Sequence, residues 1–210
     1  MVVAGTSAFA QSSHAEDEMF TLMFNEYVQS GLPQTVPFTH NRTLLEASLQ
    51  RYPPGGRTAL HDAVIGGLER LEEATHQKHA LIVLTDGEDN ASRHSEDDML
   101  TRARRANALI YTISTAELDT GVGNHRLLSK LSDATGGVTY RPRREAEVIG
   151  SFEEIAGNIR RGYRLGYEPT NTTRDGKYRR VKVLVRAAGH KNLTVSARDG
   201  YLAPGNVEPR

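Results

Sequence analysis

No cysteine occurs among the 210 residues, which excludes disulfide staples and thiolate metal centres and leaves no trace of a redox compartment. Neither sign of charge prevails: 26 Lys and Arg stand against 26 Asp and Glu, so no overall field draws the chain to nucleic acid or anionic lipid. Partners must then be recognised locally. No apolar run approaches the roughly 20 residues that span a bilayer. The amino end, MVVAGTSAFAQSS, contains an Ala-Phe-Ala of the kind found at cleavage sites. It lacks a basic start and a Leu-rich core, so no signal peptide is expected there. Four Asn-x-Ser/Thr sequons, at Asn41, Asn90, Asn171 and Asn192, matter only in a glycosylating pathway, and nothing in the sequence indicates one. There is no Gly-x-Ser-x-Gly nucleophile elbow. Gly55 and Gly56 are not followed by Gly-Lys-Ser/Thr, so a nucleotide-binding loop is not expected.

What is present is a chain long enough for one sizeable core with a small appendage. Residues 2–12 read as the tail of a helix, and MFTLMFN (19–25) as a strand. The following VQSGLPQTVPFT reads as an edge hairpin because of its Gly and Pro residues. Asn41 is placed to cap a helix carrying Leu44, Leu45 and Leu49. From Thr58 a second helix repeats Leu60, Ala63, Val64, Gly67, Leu68 and Leu71 at spacings of three and four. ALIVLT and LIYTIST have no polar face and read as strands buried on both sides, as in a parallel sheet. Helices are expected from Ser95, from Asn124 to Gly136, and over roughly 148–161 with Phe152, Ile155 and Ile159 inward. The alternation of strand and helix predicts a doubly wound, mostly parallel α/β domain over 1–161.

Beyond it the hydrophobic period changes to two. YRLGYEP, YRRVKVLVRA and LTVSARDGYL alternate apolar and polar residues, with Asp175-Gly176 as a turn signal, which predicts a small antiparallel β-extension over 162–210. This segment also holds Arg174, Lys177, Arg179, Arg180, Lys182, Arg186 and Lys191 beside Tyr163, Tyr167, Tyr178 and Tyr201. Basic residues interleaved with aromatics raise nucleic-acid binding as an alternative; the balanced net charge and the missing Gly-aromatic signature weigh against it.

Two loops carry the chemistry. PPGGRTALHDA (53–63) offers a hydroxyl, Thr58, at a helix start, and LTDGEDN (84–90) offers a carboxylate, Asp86, just past a strand. Ligands of parallel sheets collect beyond the carboxyl ends of strands. Asp86, with Glu88 and Asp89, therefore sits where a hard cation or a cationic partner would be held. For Glu88, Asp89 and Asn90 the simpler role is that of turn and cap residues, and Ser95-x-x-Asp98 reads as a capping box. Histidines 61, 76, 79, 94 and 125, with Ser92, Ser95 and nearby carboxylates, are the raw material of a metal-dependent hydrolase, but no arrangement in the sequence specifies one. The chain is not expected to be an enzyme.

The blocks GGRTALHDAV, ALIVLTDGEDNAS, RARRANALIYTIS and LSDATGGVTY resemble, in order, those of a von Willebrand factor type A domain. The tail YRLGYEPTN to VSARDGYLAP resembles the C-terminal extension of the bacterial VWFA-related subgroup. The resemblance implies a Rossmann-like α/β fold and a protein-binding, adhesion-type module. Its metal ion-dependent adhesion site would use Mg²⁺, for which Mn²⁺ could substitute, and keep one coordination position open for a carboxylate of the protein partner. On that pattern Thr58 and Asp86 are the metal residues, and Gly55, Gly56, Arg57, Gly87, Glu88 and Asp89 form the partner-binding rim. Relatives of full length would be exported.

The family's first strand, with its Asp-x-Ser-x-Ser loop, is absent, so Mg²⁺ is expected to bind weakly. In the family that strand lies mid-sheet, between the segments corresponding to 19–25 and 79–85. About five buried aliphatic side chains at roughly 1.5–3 kcal/mol each are thereby lost. Such a loss is comparable with a whole domain's net stability of about 5–15 kcal/mol. The sequence is accordingly expected to be a truncated reading of a longer protein, with open strand edges prone to self-association.

Overall fold

A computed structural model describes residues 2–50, 56–118, 123–189 and 193–205. The chain runs α1 (Val2–Ser12), β1 (Leu22–Phe24), β2 (Val28–Ser30), α2 (Arg42–Ser48), α3 (Leu60–Glu72), β3 (His79–Thr85), α4 (Glu96–Arg105) and β4 (Ala108–Ser114). It continues with α5 (His125–Thr135), β5 (Thr139–Tyr140), α6 (Glu145–Arg161), β6 (Tyr178–Arg180) and β7 (Gly200–Leu202). No described helix is long and apolar enough to cross a membrane.

The two apolar runs form the centre. β3 and β4 pair in parallel from His79↔Ala108 to Thr85↔Ser114, and β5 joins β4 in parallel on its far side. Because β4 is covered on both faces, it is buried almost throughout. On one face α3, α4 and α5 bring Leu60, Val64, Leu68, Met99, Leu100 and Leu131 against Ile110. On the other, Val148, Phe152 and Ile155 of α6 meet Tyr111 and Ile113, with Phe9 of α1 stacked edge-on against Phe152. Helices on both faces of a parallel sheet make the doubly wound architecture.

Local capping signals act where the sequence places them. Asn41 Oδ1 accepts the Leu44 N–H, and Asn124 Oδ1 accepts the Leu127 N–H. The Ser95–Asp98 box is closed in both directions. α5 stops at Gly136 in the left-handed conformation. α3 differs from expectation: it begins at Leu60 rather than Thr58, and its flanking residue Ala59 provides no side-chain cap.

The expected strand over 19–25 shortens to Leu22–Phe24 and closes a tight antiparallel hairpin with Val28–Ser30. It does not pair with β3; a cavity of about 800 Å³ lies between them. The β-extension is small: among the described residues β6 pairs only with β7, three residues each, and the YRLGYEP segment forms no strand. Asp175 and Gly176 do make a turn, with Asp175 Oδ1 accepting the Lys177 N–H, but it does not join two paired strands. Leu165 and Leu184 remain 75% and 71% exposed, because period-two alternation provides an apolar face without providing a second layer to cover it. The extension is tied down by Arg198, whose guanidinium donates to the Arg104 and Ala106 carbonyls at the end of α4. Those carbonyls have no partner within the helix, and a cation suits the negative end of its dipole.

Candidate functional site

Asp86 follows directly on β3. Its Oδ1 accepts the Glu88 N–H at 3.0 Å, and Thr85 Oγ1 accepts the Gly87 N–H at 3.1 Å, so the strand ends in a side-chain-locked turn. The backbone is held from two further directions: the Asn124 N–H donates to the Asp86 carbonyl at 2.9 Å, and the Thr115 N–H to the Thr85 carbonyl at 3.0 Å. Gly87 has φ +89°, and a Cβ there would lie 2.8 Å from the Asn124 carbonyl oxygen. Both the left-handed backbone and the close approach require glycine.

The next residues supply the missing cap of α3. Asp89 Oδ2 accepts the His61 N–H at 2.9 Å and the Ser92 hydroxyl at 2.6 Å, and Ser92 Oγ accepts the Asp62 N–H at 3.0 Å. Two of the helix's free amino-terminal N–H groups are thus satisfied from a loop some 30 positions away. The favour is returned: Asp62 accepts the Arg93 and His94 N–H groups at 3.0 and 3.1 Å and the His94 ring at 2.8 Å. Thr58 is clamped alongside, its carbonyl accepting the Asn90 and Ala91 N–H groups while its N–H donates to Asn90 Oδ1. Arg57 donates to the Asn90 carbonyl.

This network separates the sequence's candidates. Asp89, expected on the partner-binding rim, has a side chain only 12% exposed that is engaged with α3. Gly56, Arg57 and Glu88 are exposed, Gly87 is buried in the turn, and Gly55 lies outside the described residues. Thr58 and Asp86 both line the same end of the cavity between β1 and β3, with Thr115 beside them.

The carboxyls of Asp62 and Asp89 both titrate below their ordinary 3.8. Burial pushes each up. The hydrogen bonds outweigh it: Arg93 and His94 on Asp62, Ser92 and His61 on Asp89. The folded chain therefore holds these protons less firmly than the unfolded chain, so the network's stabilisation is complete above the unfolded value and is lost as pH falls below 3.8 through the folded ones. Thermal melts between about pH 6 and pH 2 should show stability falling at the acid end. The double variant Asp62→Asn, Asp89→Asn should give a shallower acid slope; an unchanged slope would mean that other lowered carboxyls, such as Asp98 and Glu147, carry it.

One cluster has no signature in the sequence. At the end of β4, Ser114 Oγ lies 3.1 Å from Glu117 Oε2 and 3.3 Å from His125 Nδ1, while His125 Nε2 lies 3.3 Å from Glu117 Oε1. Ser114 ends a strand and His125 opens a helix, so no single helical or strand period joins them, and only the strand-to-helix crossing does. Ser114 is fully buried and its hydroxyl faces the Glu117 carboxylate, so the three side chains link the end of β4 to the start of α5.

A hard divalent cation takes about six oxygens. Thr58 and Asp86 offer two side chains, and one Asp86 oxygen already accepts the Glu88 N–H. Among the described residues no three His, Asp or Glu side chains converge on a common point. This donor set does not fit a tight Mg²⁺ site.

No protein-family model matches the chain, and no curated protein sequence matches it. Solved structures do. A von Willebrand factor type A protein from Catenulispora acidiphila superposes with a TM-score of 0.61 at 18% identity over 75% of this chain, which spans only 37% of that protein's length. A conserved hypothetical protein, BatB, from Bacteroides thetaiotaomicron matches with a TM-score of 0.59 at 12% identity, covering 77% of this chain and 87% of that one. An aerotolerance-related membrane protein from Bacteroides fragilis gives 0.60 at 12% identity, over 76% and 86%. At such identities the likeness concerns architecture. The parallel sheet, its covering helices and the loop rim at its carboxyl end have the fold of a von Willebrand factor type A domain.

Proposed function

We propose that the chain is a protein-binding module of the von Willebrand factor type A class, not an enzyme, and that its partner is engaged at the loop rim around Asp86, Glu88, Arg57 and Thr58. One observation supports this most: the loop carrying Asp86 is over-determined by hydrogen bonds to α3 and to the start of α5, leaving Glu88 and Arg57 exposed on a rigid frame. Loops held rigid by a scaffold present contacts at low ordering cost. With two protein oxygens, Mg²⁺ or Mn²⁺ is held at most weakly, and the carboxylates of Asp86 and Glu88 meet the partner directly.

Peptides selected from a random library against the chain test the rim. Binding should weaken about tenfold or more, ~1.4 kcal/mol, in the Asp86→Asn, Glu88→Ala variant, and stay nearly unchanged in Glu73→Ala at the far end of α3. Selected peptides indifferent to the rim variant would overturn the reading. Calorimetry separates the metal question: dissociation constants in the millimolar range or weaker are expected for Mg²⁺ and Mn²⁺. Tight binding that Asp86→Ala abolishes would show that a full ligand set exists after all.

A further inference from the structure

The net charge of zero conceals a division along the chain. Residues 1–161 carry 16 Lys and Arg against 22 Asp and Glu, whereas residues 162–210 carry 10 against 4. The α/β domain is therefore acidic and the extension basic, which gives the molecule an oriented field although its total charge vanishes. Within the extension burial alternates: Arg179, Val181 and Val183 are half-buried, while Arg180, Lys182 and Leu184 are exposed. Such alternation places the exposed three on one side, at intervals of about 7 Å. Val185 and Arg186 continue the exposed run. Two cations of the extension are already committed, Arg179 to Asp175 and Arg198 to the carbonyls that end α4. Among the described residues Arg180, Lys182 and Arg186 enter no ion pair.

We propose that this basic stretch is a membrane-surface site: it docks on the anionic phospholipids of a bilayer, with Arg180, Lys182 and Arg186 at the level of the phosphates and Leu184 beneath them. The side chains around the cations select lipid among the polyanions. A single-stranded nucleic acid calls for open ring faces on which its bases stack. Here Tyr167 and Tyr201 pack edge-on against each other, and Tyr178 has the Arg104 guanidinium over its ring and its hydroxyl on Asp199. A protein partner calls for apolar residues gathered into a core with a polar rim. In this stretch the order is the reverse, because Leu184 and Val185 stand between Lys182 and Arg186. That order suits a bilayer interface, where an aliphatic side chain enters the acyl boundary while long basic side chains on either side reach back to phosphate. The same anionic surface repels the acidic α/β domain, so the molecule is turned with its extension toward the lipid.

The probe is a vesicle of phosphatidylcholine with about one-third phosphatidylglycerol, and pure phosphatidylcholine is its control. The whole chain should sediment with the anionic vesicles and stay in solution with the neutral ones. Raising the salt from about 0.1 M to about 0.5 M should release most of it. Arg180→Gln, Lys182→Gln and Arg186→Gln together should weaken partitioning about thirtyfold or more. The same loss of charge from exposed positions of the α/β domain, Arg42→Gln, Arg143→Gln and Arg160→Gln, should change it less than about threefold. Leu184→Ser should weaken it about threefold or more with the salt dependence unchanged. Arg180→Lys with Arg186→Lys keeps the charge and should bind as the parent does, which separates lost charge from lost fold. Equal binding to both vesicles, or none to the anionic ones, would overturn the proposal. So would two Gln triple variants that behave alike, an indifferent Leu184→Ser, or a Lys variant that fails to bind. Displacement from the vesicles by oligothymidylate or polyglutamate at lower concentration than by lipid would assign the stretch to a nucleic acid or an acidic protein and overturn it as well. The rim variants leave these cations in place, so the two proposals fail separately.

Discussion

Gly87→Val is expected to lower the stability of the whole chain by about 2–5 kcal/mol and to abolish rim binding together with it. The left-handed conformation at φ +89° costs an ordinary L-residue about 1–2 kcal/mol, and a β-branched side chain suits it least. The Cβ would also stand 2.8 Å from the Asn124 carbonyl oxygen and 3.1 Å from Leu128 Cγ, both tighter than van der Waals contact allows. Relief requires the start of α5 to move, at a further cost of about 1–3 kcal/mol for overpacking. Because the Asn124 N–H holds the Asp86 carbonyl, that movement displaces the carboxylate on which the rim depends. Urea unfolding gives the first effect and peptide binding the second. A loss under about 1 kcal/mol would show that the turn relaxes at little cost and that the rim is less rigid than its hydrogen bonds indicate.

Leu131→Ala and Phe24→Ala should differ in a way that ordinary core logic does not anticipate. Leu131 is completely buried between α5 and the rest of the helical face, so its truncation leaves a closed cavity and should cost about 2–5 kcal/mol. Phe24 is larger, but it stands beside the cavity between β1 and β3, where space is already open. Truncating it mainly enlarges an existing opening and should cost less than half as much as the leucine, against about 3–5 kcal/mol for a fully enclosed Phe. Denaturant unfolding of the two variants at one temperature decides it. Equal losses would mean that β1 is packed as tightly as the helical face and that this cavity is closed in solution.

Much of the fold was legible because its causes are local. Asn41, Ser95 with Asp98, and Asn124 cap helices through bonds to residues three positions away, and Gly136 ends α5 by its own backbone conformation. ALIVLT and LIYTIST reveal themselves as strands of a parallel sheet because neither has a polar side, but only β4 is buried almost throughout; β3 is half-buried at five of its seven positions. Thr58 and Asp86, expected at a helix start and a strand end, both line the cavity, Asp86 just past β3 and Thr58 two residues ahead of α3. The cap of α3 was not legible. The sequence suggests that the helix begins with its own hydroxyl at Thr58, whereas Asp89 and Ser92 reach it from 28 and 30 positions away. No short-range spacing records such a contact.

The sequence by itself determined which segments are helical and which apolar runs pair as the parallel strands. Tertiary structure alone decided how the other strands find partners. β1 turns back on β2 because a tight hairpin closes a short loop, while joining β3 would require spanning the cavity between them. In the β-extension only three residues of each strand pair, and the remaining alternating residues stay exposed. Periodicity states which face of a segment is apolar. Whether that face is covered depends on what another part of the polypeptide brings to it, and on the backbone edge that is left for pairing.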